Sequence, residues 1–294
     1  MQSEKVVGTI LKKYSSFYYV QDENNQIYEC KLRGKIKTLA TSGDRVEITL
    51  IRPGAGVLER ILPRKNQLYR PRIANVGLMI IVFACDKPSP NILLLDRLLL
   101  LTYSVPLQCC IVLNKGDLEP SKSALQIKDY YGANAFNLII TSGLTGAGIE
   151  ELSQLMKGQI SVFTGPSGVG KSTLINNLIP DRKEKLKTQA ISEKIGRGRH
   201  TTRHVELFSL PNGGWVADTP GFSNLDLPKM KSKDLSGLYQ DFEPYRRECQ
   251  FANCCHDKEK NCSVKEAVME GKIAYFRYEN YLSLLNELRE SEKY

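Results

Sequence analysis

The sequence has no apolar run approaching the ~18 residues that cross a bilayer, and its start, MQSEKVVGTILKKYSS, has neither the apolar stretch nor the cleavage site of a signal peptide. No membrane-spanning helix and no membrane partner are therefore expected, and a cytoplasmic location is. No internal repeat and no low-complexity tract is visible. Histidine is scarce, at three residues, and tryptophan occurs once. With 41% hydrophobic and 25% charged residues, the composition is that of a globular protein, which excludes intrinsic disorder. The length of 294 residues suits about two domains with a small third module.

Eight cysteines could make four disulfides in a secreted chain, but a reducing compartment favours metal binding by any clustered subset. Cys30, Cys85, Cys109 and Cys110 lie in apolar, strand-like surroundings and read as small buried hydrophobes without a function. The other four crowd into residues 249–262. The 41 Lys and Arg against 32 Asp and Glu leave a net charge of +9, compatible with a polyanionic partner.

Three regions follow along the chain, with boundaries expected at 1–70, 71–227 and 228–294. The first alternates short β-rich runs (VVGTIL, FYYVQDENNQIYECKL, GDRVEITL, VLERIL) with turn signals, which predicts a five-stranded OB-fold barrel; an SH3-like barrel is the alternative. Residues 1–72 carry fourteen basic and seven acidic residues, a net +7, so most of the excess charge sits here. Tyr14, Phe17, Tyr18 and Tyr19 are interleaved with Lys12, Lys13, Lys31 and Arg33, a combination suited to RNA. At least one of the three consecutive aromatics is expected to fill the barrel instead.

The second region switches to apolar strands buried on both faces (VGLMIIVFA, QCCIVLN, NLIITS, QISVFTG, GWVADT) separated by helical stretches, which predicts a parallel α/β sheet with its ligand at the strands' carboxyl ends. The third has a short helical lead, the Cys/His cluster, and VKEAVMEGKIAYFRYENYLSLLNELRES, which reads as helix.

GxxxxGK[ST] stands between a buried strand and a helix, as Gly165, Pro166, Ser167, Gly168, Val169, Gly170, Lys171 and Ser172. The glycines permit a tight turn that points backbone N–H groups from Ser167 through Thr173 at a β-phosphate. Lys171 can bridge β- and γ-oxygens, and the Ser172 hydroxyl can ligate Mg²⁺. Asp218 ends another strand in the run DTPG; it can hold Mg²⁺ through water, while the Gly221 N–H can sense a γ-phosphate. A third strand ends in Asn114, Lys115, Gly116 and Asp117. The Asp117 carboxylate can accept two parallel bonds from guanine, which adenine does not offer; Asn114 can reach N7 and support the loop, and the Lys115 stem can lie across the ring. After the next strand, the Ser142 N–H is placed to meet guanine O6. Together these motifs select GTP over ATP.

In ordinary small GTPases the phosphate loop comes first and the base motifs last. Here NKGD and TSG precede GPSGVGKS, so the same sheet requires a circularly permuted chain. The cut falls after DTPG, which ties that switch to the C-terminal module and allows nucleotide state to be passed to it.

Cys249, Cys254, His256 and Cys262 offer three thiolates and one imidazole within fourteen residues, a set suited to a closed, structural Zn²⁺ site. A set with Cys255 in place of His256 competes with it, although adjacent thiolates strain a tetrahedron.

The permuted order, with GPSGVGKS, GRGRHTT, DTPG and the Cys/His cluster, resembles the ribosome small-subunit-dependent GTPase family, RsgA, also known as YjeQ or YloQ. The resemblance spans nearly the whole chain. It implies a monomeric GTP hydrolase that binds the 30S subunit and its 16S rRNA late in assembly, is stimulated by it, exchanges GTP and GDP, and helps release an assembly factor. It also implies that the zinc set omits Cys255. Within GRGRHTT, the family pattern makes Thr202, or else Thr201, a Mg²⁺ ligand. Phe222 follows DTPG where Ras-like enzymes carry a water-orienting Gln, so intrinsic hydrolysis should be slow. The pattern offers His200 as the catalytic group, unless it only contacts RNA or solvent. The competing class is an RNA-binding scaffold that uses GTP as a structural ligand; a small-metabolite kinase leaves NKGD, the barrel and the zinc cluster unexplained.

Overall fold

Two-residue alternation of apolar and polar side chains builds the N-terminal barrel from β1 (Lys5–Tyr14), β2 (Phe17–Asp22), β3 (Ile27–Leu32), β4 (Arg45–Arg52) and β5 (Ala55–Ile61). The computed structural model describes residues 4–34, 39–69, 72–134, 136–180, 205–218 and 230–293. The Asp22 carboxylate sets the β2–β3 turn, accepting from the N–H groups of Asn24 (2.9 Å) and Gln26 (2.8 Å). Closure in the order β1-β2-β3-β5-β4, with β3 and β5 parallel, is the expected OB-fold arrangement rather than the SH3-like one. Ile10, Tyr18, Val20, Val46, Ile48 and Leu58 fill it, so Tyr18 is the aromatic that turns inward. A short hairpin, β6 (Gln67–Tyr69) and β7 (Arg72–Ala74), leads out of the barrel across the expected boundary at 70.

The apolar runs of the second region form one six-stranded sheet from β8 (Leu78–Ala84), β9 (Gln108–Asn114), β10 (Leu138–Ile140), β11 (Ile160–Thr164), β12 (Glu206–Ser209) and β13 (Trp215–Asp218). Its order is β10-β9-β8-β11-β13-β12, parallel except for β12. All seven residues of β8 are buried because helices cover both faces. Helices α1 (Ile92–Tyr103) and α2 (Lys122–Ala133) pack on one face through Leu95, Leu98, Leu99, Ile127 and Tyr131. The other face carries α3 (Ile149–Met156) and α4 (Lys171–Leu178), through Leu152, Met156, Leu174 and Leu178. Each such side chain contributes roughly 1.5–3 kcal/mol by its burial.

The C-terminal module opens with 3₁₀ turns at Ser232–Leu238 and Gln240–Phe242 and a single helical turn, α5 (Glu243–Arg246). The segment expected as one long helix is two, α6 (Ser263–Met269) and α7 (Tyr275–Ser291). The break lies at Gly271, whose φ of +74° leaves the helical region, while the N–H groups of Lys272 and Ile273 both turn back to the Ala267 carbonyl.

A buried ionic node fastens this module to α1. Arg277 of α7 pairs bidentately with Asp241 (2.8 and 3.1 Å), and its Nη1 lies 2.5 Å from Asp96 of α1, with the N–H poorly aligned for a hydrogen bond. Tyr131 and Asn280 also donate to Asp96, Tyr130 donates to Asp241, and the guanidinium stacks 4.1 Å from the Tyr239 ring centre. Burial would raise the Asp241 carboxyl, but the Arg277 charge and hydrogen bonds outweigh it and hold that group below the ordinary range. Burial prevails at Asp96, which is raised. Nearer the surface, Arg97 clamps Glu287 of α7 through two bonds (2.7 and 2.5 Å).

Candidate nucleotide and metal sites

Three loops meet at the carboxyl edge of the sheet. The phosphate loop runs from β11 to α4, so it ends on the helix N-terminus, where Ser172 and Thr173 of the first turn are exposed. The glycines at its two ends are sterically required. At Gly165, with φ of +130°, a Cβ would lie 2.1 Å from the Val82 carbonyl oxygen of β8; at Gly170, with φ of +93°, it would lie 2.3 Å from Asn114 Nδ2. Val169 is fully buried among the α3–α4 core residues, so only its backbone can face a ligand. Lys171 folds back on its own loop, donating to the carbonyls of Gly165 (2.8 Å) and Pro166 (2.5 Å), and burial holds its pKa below the ordinary lysine value. These carbonyls are a resting place that a phosphate can displace.

Asn114, at the end of β9, joins the loops. Its Nδ2 donates to the Val169 carbonyl of the phosphate loop (2.8 Å), and its Oδ1 accepts from Thr141 Oγ1 and the Gly143 N–H, both at 3.1 Å. It is 2% exposed, so all three bonds are made away from water. Lys115, with φ of +60°, donates to the Lys87 carbonyl, and the Gly116 N–H donates to the Thr141 carbonyl (2.8 Å). Asp117 is exposed at the rim, where the Ser142 hydroxyl donates to its Oδ1. That changes the part expected of Ser142. Its N–H is spent on the Ala147 carbonyl (2.9 Å) in a tight turn, so it is not offered to a base oxygen; the hydroxyl orients Asp117 instead. The TSG tripeptide alone carried no sign of this turn.

Asp218 ends β13 beside β11, in register with Glu206 of β12. Gly221, His200, Thr201 and Thr202 lie outside the described residues.

The cysteine cluster is compact. The ligand atoms of Cys249, Cys254, His256 and Cys262 all lie within 4.8 Å of one another. Cys249 Sγ is 3.9 Å from Cys262 Sγ, and His256 Nδ1 is 3.6 and 3.3 Å from these two sulfurs. A tetrahedron with Zn–S of about 2.3 Å and Zn–N of about 2.0 Å has S–S and S–N edges of roughly 3.8 and 3.5 Å, so the four donors fit a zinc ion. Cys255 points elsewhere, 3.8 Å from the Asn253 carbonyl. Tyr278 and Tyr281 of α7 hold the loop from outside, donating to the carbonyls of His256 (2.6 Å) and Cys255 (2.7 Å).

On the barrel, part of the expected RNA face is committed internally. Lys12 pairs with Glu206, Arg33 with Glu59, and Arg64 clamps the buried Asp44 at 2.6 and 2.7 Å. Lys12, Lys13 and Lys31 stand 5.3–5.5 Å from the ring centres of Tyr19, Tyr18 and Phe17. Proximity of cation and ring is therefore real, but Lys12 and Arg33 already have protein partners.

The family model described as RsgA GTPase matches residues 61–228, and that of the RsgA N-terminal domain matches residues 7–58. The chain belongs to the RsgA GTPase family. RsgA relatives named small ribosomal subunit biogenesis GTPase, from Moorella thermoacetica and Carboxydothermus hydrogenoformans, are 46% and 47% identical to it; each alignment spans 97% of this chain and 98% or 99% of the relative. The crystal structure of YjeQ from Thermotoga maritima is similar over 97% of this chain and 99% of its own, with a TM-score of 0.83 and 35% identity. That of YloQ, described as a circularly permuted GTPase, covers 98% of this chain and 96% of its own, with a TM-score of 0.83 and 32% identity.

Proposed function

We propose that the protein is a GTP hydrolase that binds the small ribosomal subunit late in its assembly and hydrolyses GTP under the subunit's stimulation. The observation that carries this is Asn114, which ties the base loop, the Thr141–Gly143 turn and the phosphate loop into one site with the order of a permuted GTPase. In that site Asp117, oriented by Ser142, selects guanine, and Lys115 lies along the ring. The N–H groups of the phosphate loop and Lys171 take the β- and γ-phosphates. Ser172, Asp218 and Thr202 hold Mg²⁺, which neutralises charge on the transferring phosphoryl group. Gly221 senses the γ-phosphate. Phe222 cannot orient water, and His200 is the group assigned to that task.

The three-part division at 70 and 227 gives each module a role. The barrel supplies electrostatic affinity for 16S rRNA, and zinc on Cys249, Cys254, His256 and Cys262 holds the C-terminal module in shape. The protein acts as a cytoplasmic monomer, and its turnover accompanies release of an assembly factor. Phe222 also favours a second reading, in which GTP only stabilises an RNA-binding scaffold. Single-turnover GTP hydrolysis with and without purified small subunits separates the two. Stimulation by the subunit supports the enzyme; its absence at saturating subunit supports the scaffold.

A further inference from the structure

The helix that follows the phosphate loop also grips the turn that serves the base. On α4, Thr173 and Asn177 are four residues apart and therefore share a face. A Cβ added at Gly143 would lie 2.9 Å from Thr173 Cγ2, so the backbone of that turn rests against α4. One helical turn further on, Asn177 Nδ2 donates to the Gly143 carbonyl (2.8 Å), while the N–H of the same glycine donates to Asn114 Oδ1 (3.1 Å). Gly143 is thus held by two asparagines, one ending β9 and one on α4. The bonds beside it fix the direction of a proton. Ser142 Oγ accepts from the N–H groups of Leu144 (3.3 Å) and Thr145 (3.1 Å), and the Gly146 N–H closes the turn on the Ser142 carbonyl (2.9 Å). A hydroxyl oxygen has two lone pairs. With both engaged, the Ser142 hydroxyl is left to donate, and its acceptor is Asp117 Oδ1.

We propose that Asn177 is a positioning residue for guanine selection: by holding the Gly143 carbonyl against α4, it fixes the turn whose Ser142 hydroxyl sets the plane of the Asp117 carboxylate. The inference rests on the reading of Asp117 as the guanine acceptor. Two parallel bonds, to N1–H and N2–H₂, need both carboxylate oxygens in the plane of the base. Asp117 is exposed at the rim, so water competes for those oxygens and the Ser142 hydroxyl is what restrains their rotation. Without the Asn177 amide the Gly143 carbonyl turns to water and the turn loosens. A carboxylate rotated out of the base plane keeps one bond instead of two, and the 2-amino group of guanine then contributes little.

The test is equilibrium titration with GDP and with inosine diphosphate, which lacks the 2-amino group, for wild type, Asn177→Ala, Asn177→Asp and Asn177→Gln. Asn177 is exposed and lies in the last turn of α4, and alanine is the better helix former, so the fold is not put at risk. In Asn177→Ala the preference for GDP over inosine diphosphate should fall roughly two- to tenfold, the scale of one hydrogen bond, through weaker GDP binding. Asn177→Asp turns an acceptor toward the carbonyl and should lose at least as much. Asn177→Gln keeps the amide on an open surface and should retain most of the preference. A reduced preference in the first two variants with recovery in Asn177→Gln supports the inference. An unchanged preference in Asn177→Ala overturns it, as does equal weakening of both nucleotides, which a merely structural bond would give. Wild-type protein that binds the two nucleotides equally would refute the reading of Asp117 itself; wild-type preference that survives in Asn177→Ala refutes only this inference.

Discussion

Replacing Arg277 by Met should destabilise the protein by about 3–5 kcal/mol. The side chain volume is nearly kept, so the cost is electrostatic: Asp96 and Asp241, 0% and 2% exposed, are left in the interior without a cation. If the chain unfolds as one unit, the melting temperature falls by roughly 5–8 °C. The pH dependence has a definite sign. In the wild type Asp241 is held below the ordinary carboxylate range, so its contribution is present at neutral pH and lost on acidification. In the variant Asp241 also rises above its unfolded value, as burial already makes Asp96 do in the wild type, so folding takes up more protons and stability increases more steeply as pH falls. The deficit relative to wild type is therefore larger at about pH 8 than at about pH 6. Urea unfolding at the two pH values measures it, and adding Asp241→Asn should recover part of the loss, since an amide is cheaper to bury than an unpaired carboxylate. A deficit below about 1 kcal/mol, or one that grows on acidification, would refute the assignment of Arg277 as the cation that joins the C-terminal module to α1.

Asp117→Asn should cost roughly 3 kcal/mol in GTP affinity and shift preference toward xanthosine triphosphate, because one acceptor becomes a donor; nucleotide titration that finds unchanged GTP affinity removes the base-site assignment. Lys171→Ala and Ser172→Ala should each abolish turnover, and either one retaining wild-type stimulated hydrolysis sinks the phosphate-site assignment. Metal analysis should find one zinc per chain in wild type and in Cys255→Ser, with loss in Cys254→Ser; equal loss in both variants overturns the ligand set. His200→Ala should keep GTP affinity and lose stimulated hydrolysis, whereas loss of both properties together would make it a structural residue.

Whatever depends on contiguous residues was legible in the sequence. Alternation in FYYVQD and IYECKL specified barrel strands because the pleat repeats every two residues, and unbroken runs such as LMIIVFA specified strands covered on both faces. GPSGVGKS implied its loop because closely spaced glycines and the following helix fix where successive N–H groups point. The order of the motifs implied the permutation, and the spacing of Cys249, Cys254, His256 and Cys262 brought four donors within reach of one another. Partner choice was not legible. NKGD did not show that Asn114 spends its amide on Val169, 55 residues away, nor did TSG show that the Ser142 N–H is turned back on Ala147. Lys12 read as an RNA contact, yet it meets Glu206 across 194 residues, and nothing local marked Asp96, Asp241 and Arg277 as one node. The reason is physical. Backbone periodicity and N–H direction are set within a few residues, whereas the partner of a charged or amide side chain is set by strand register and by how the modules dock. A buried charge must find its counter-charge wherever packing places one.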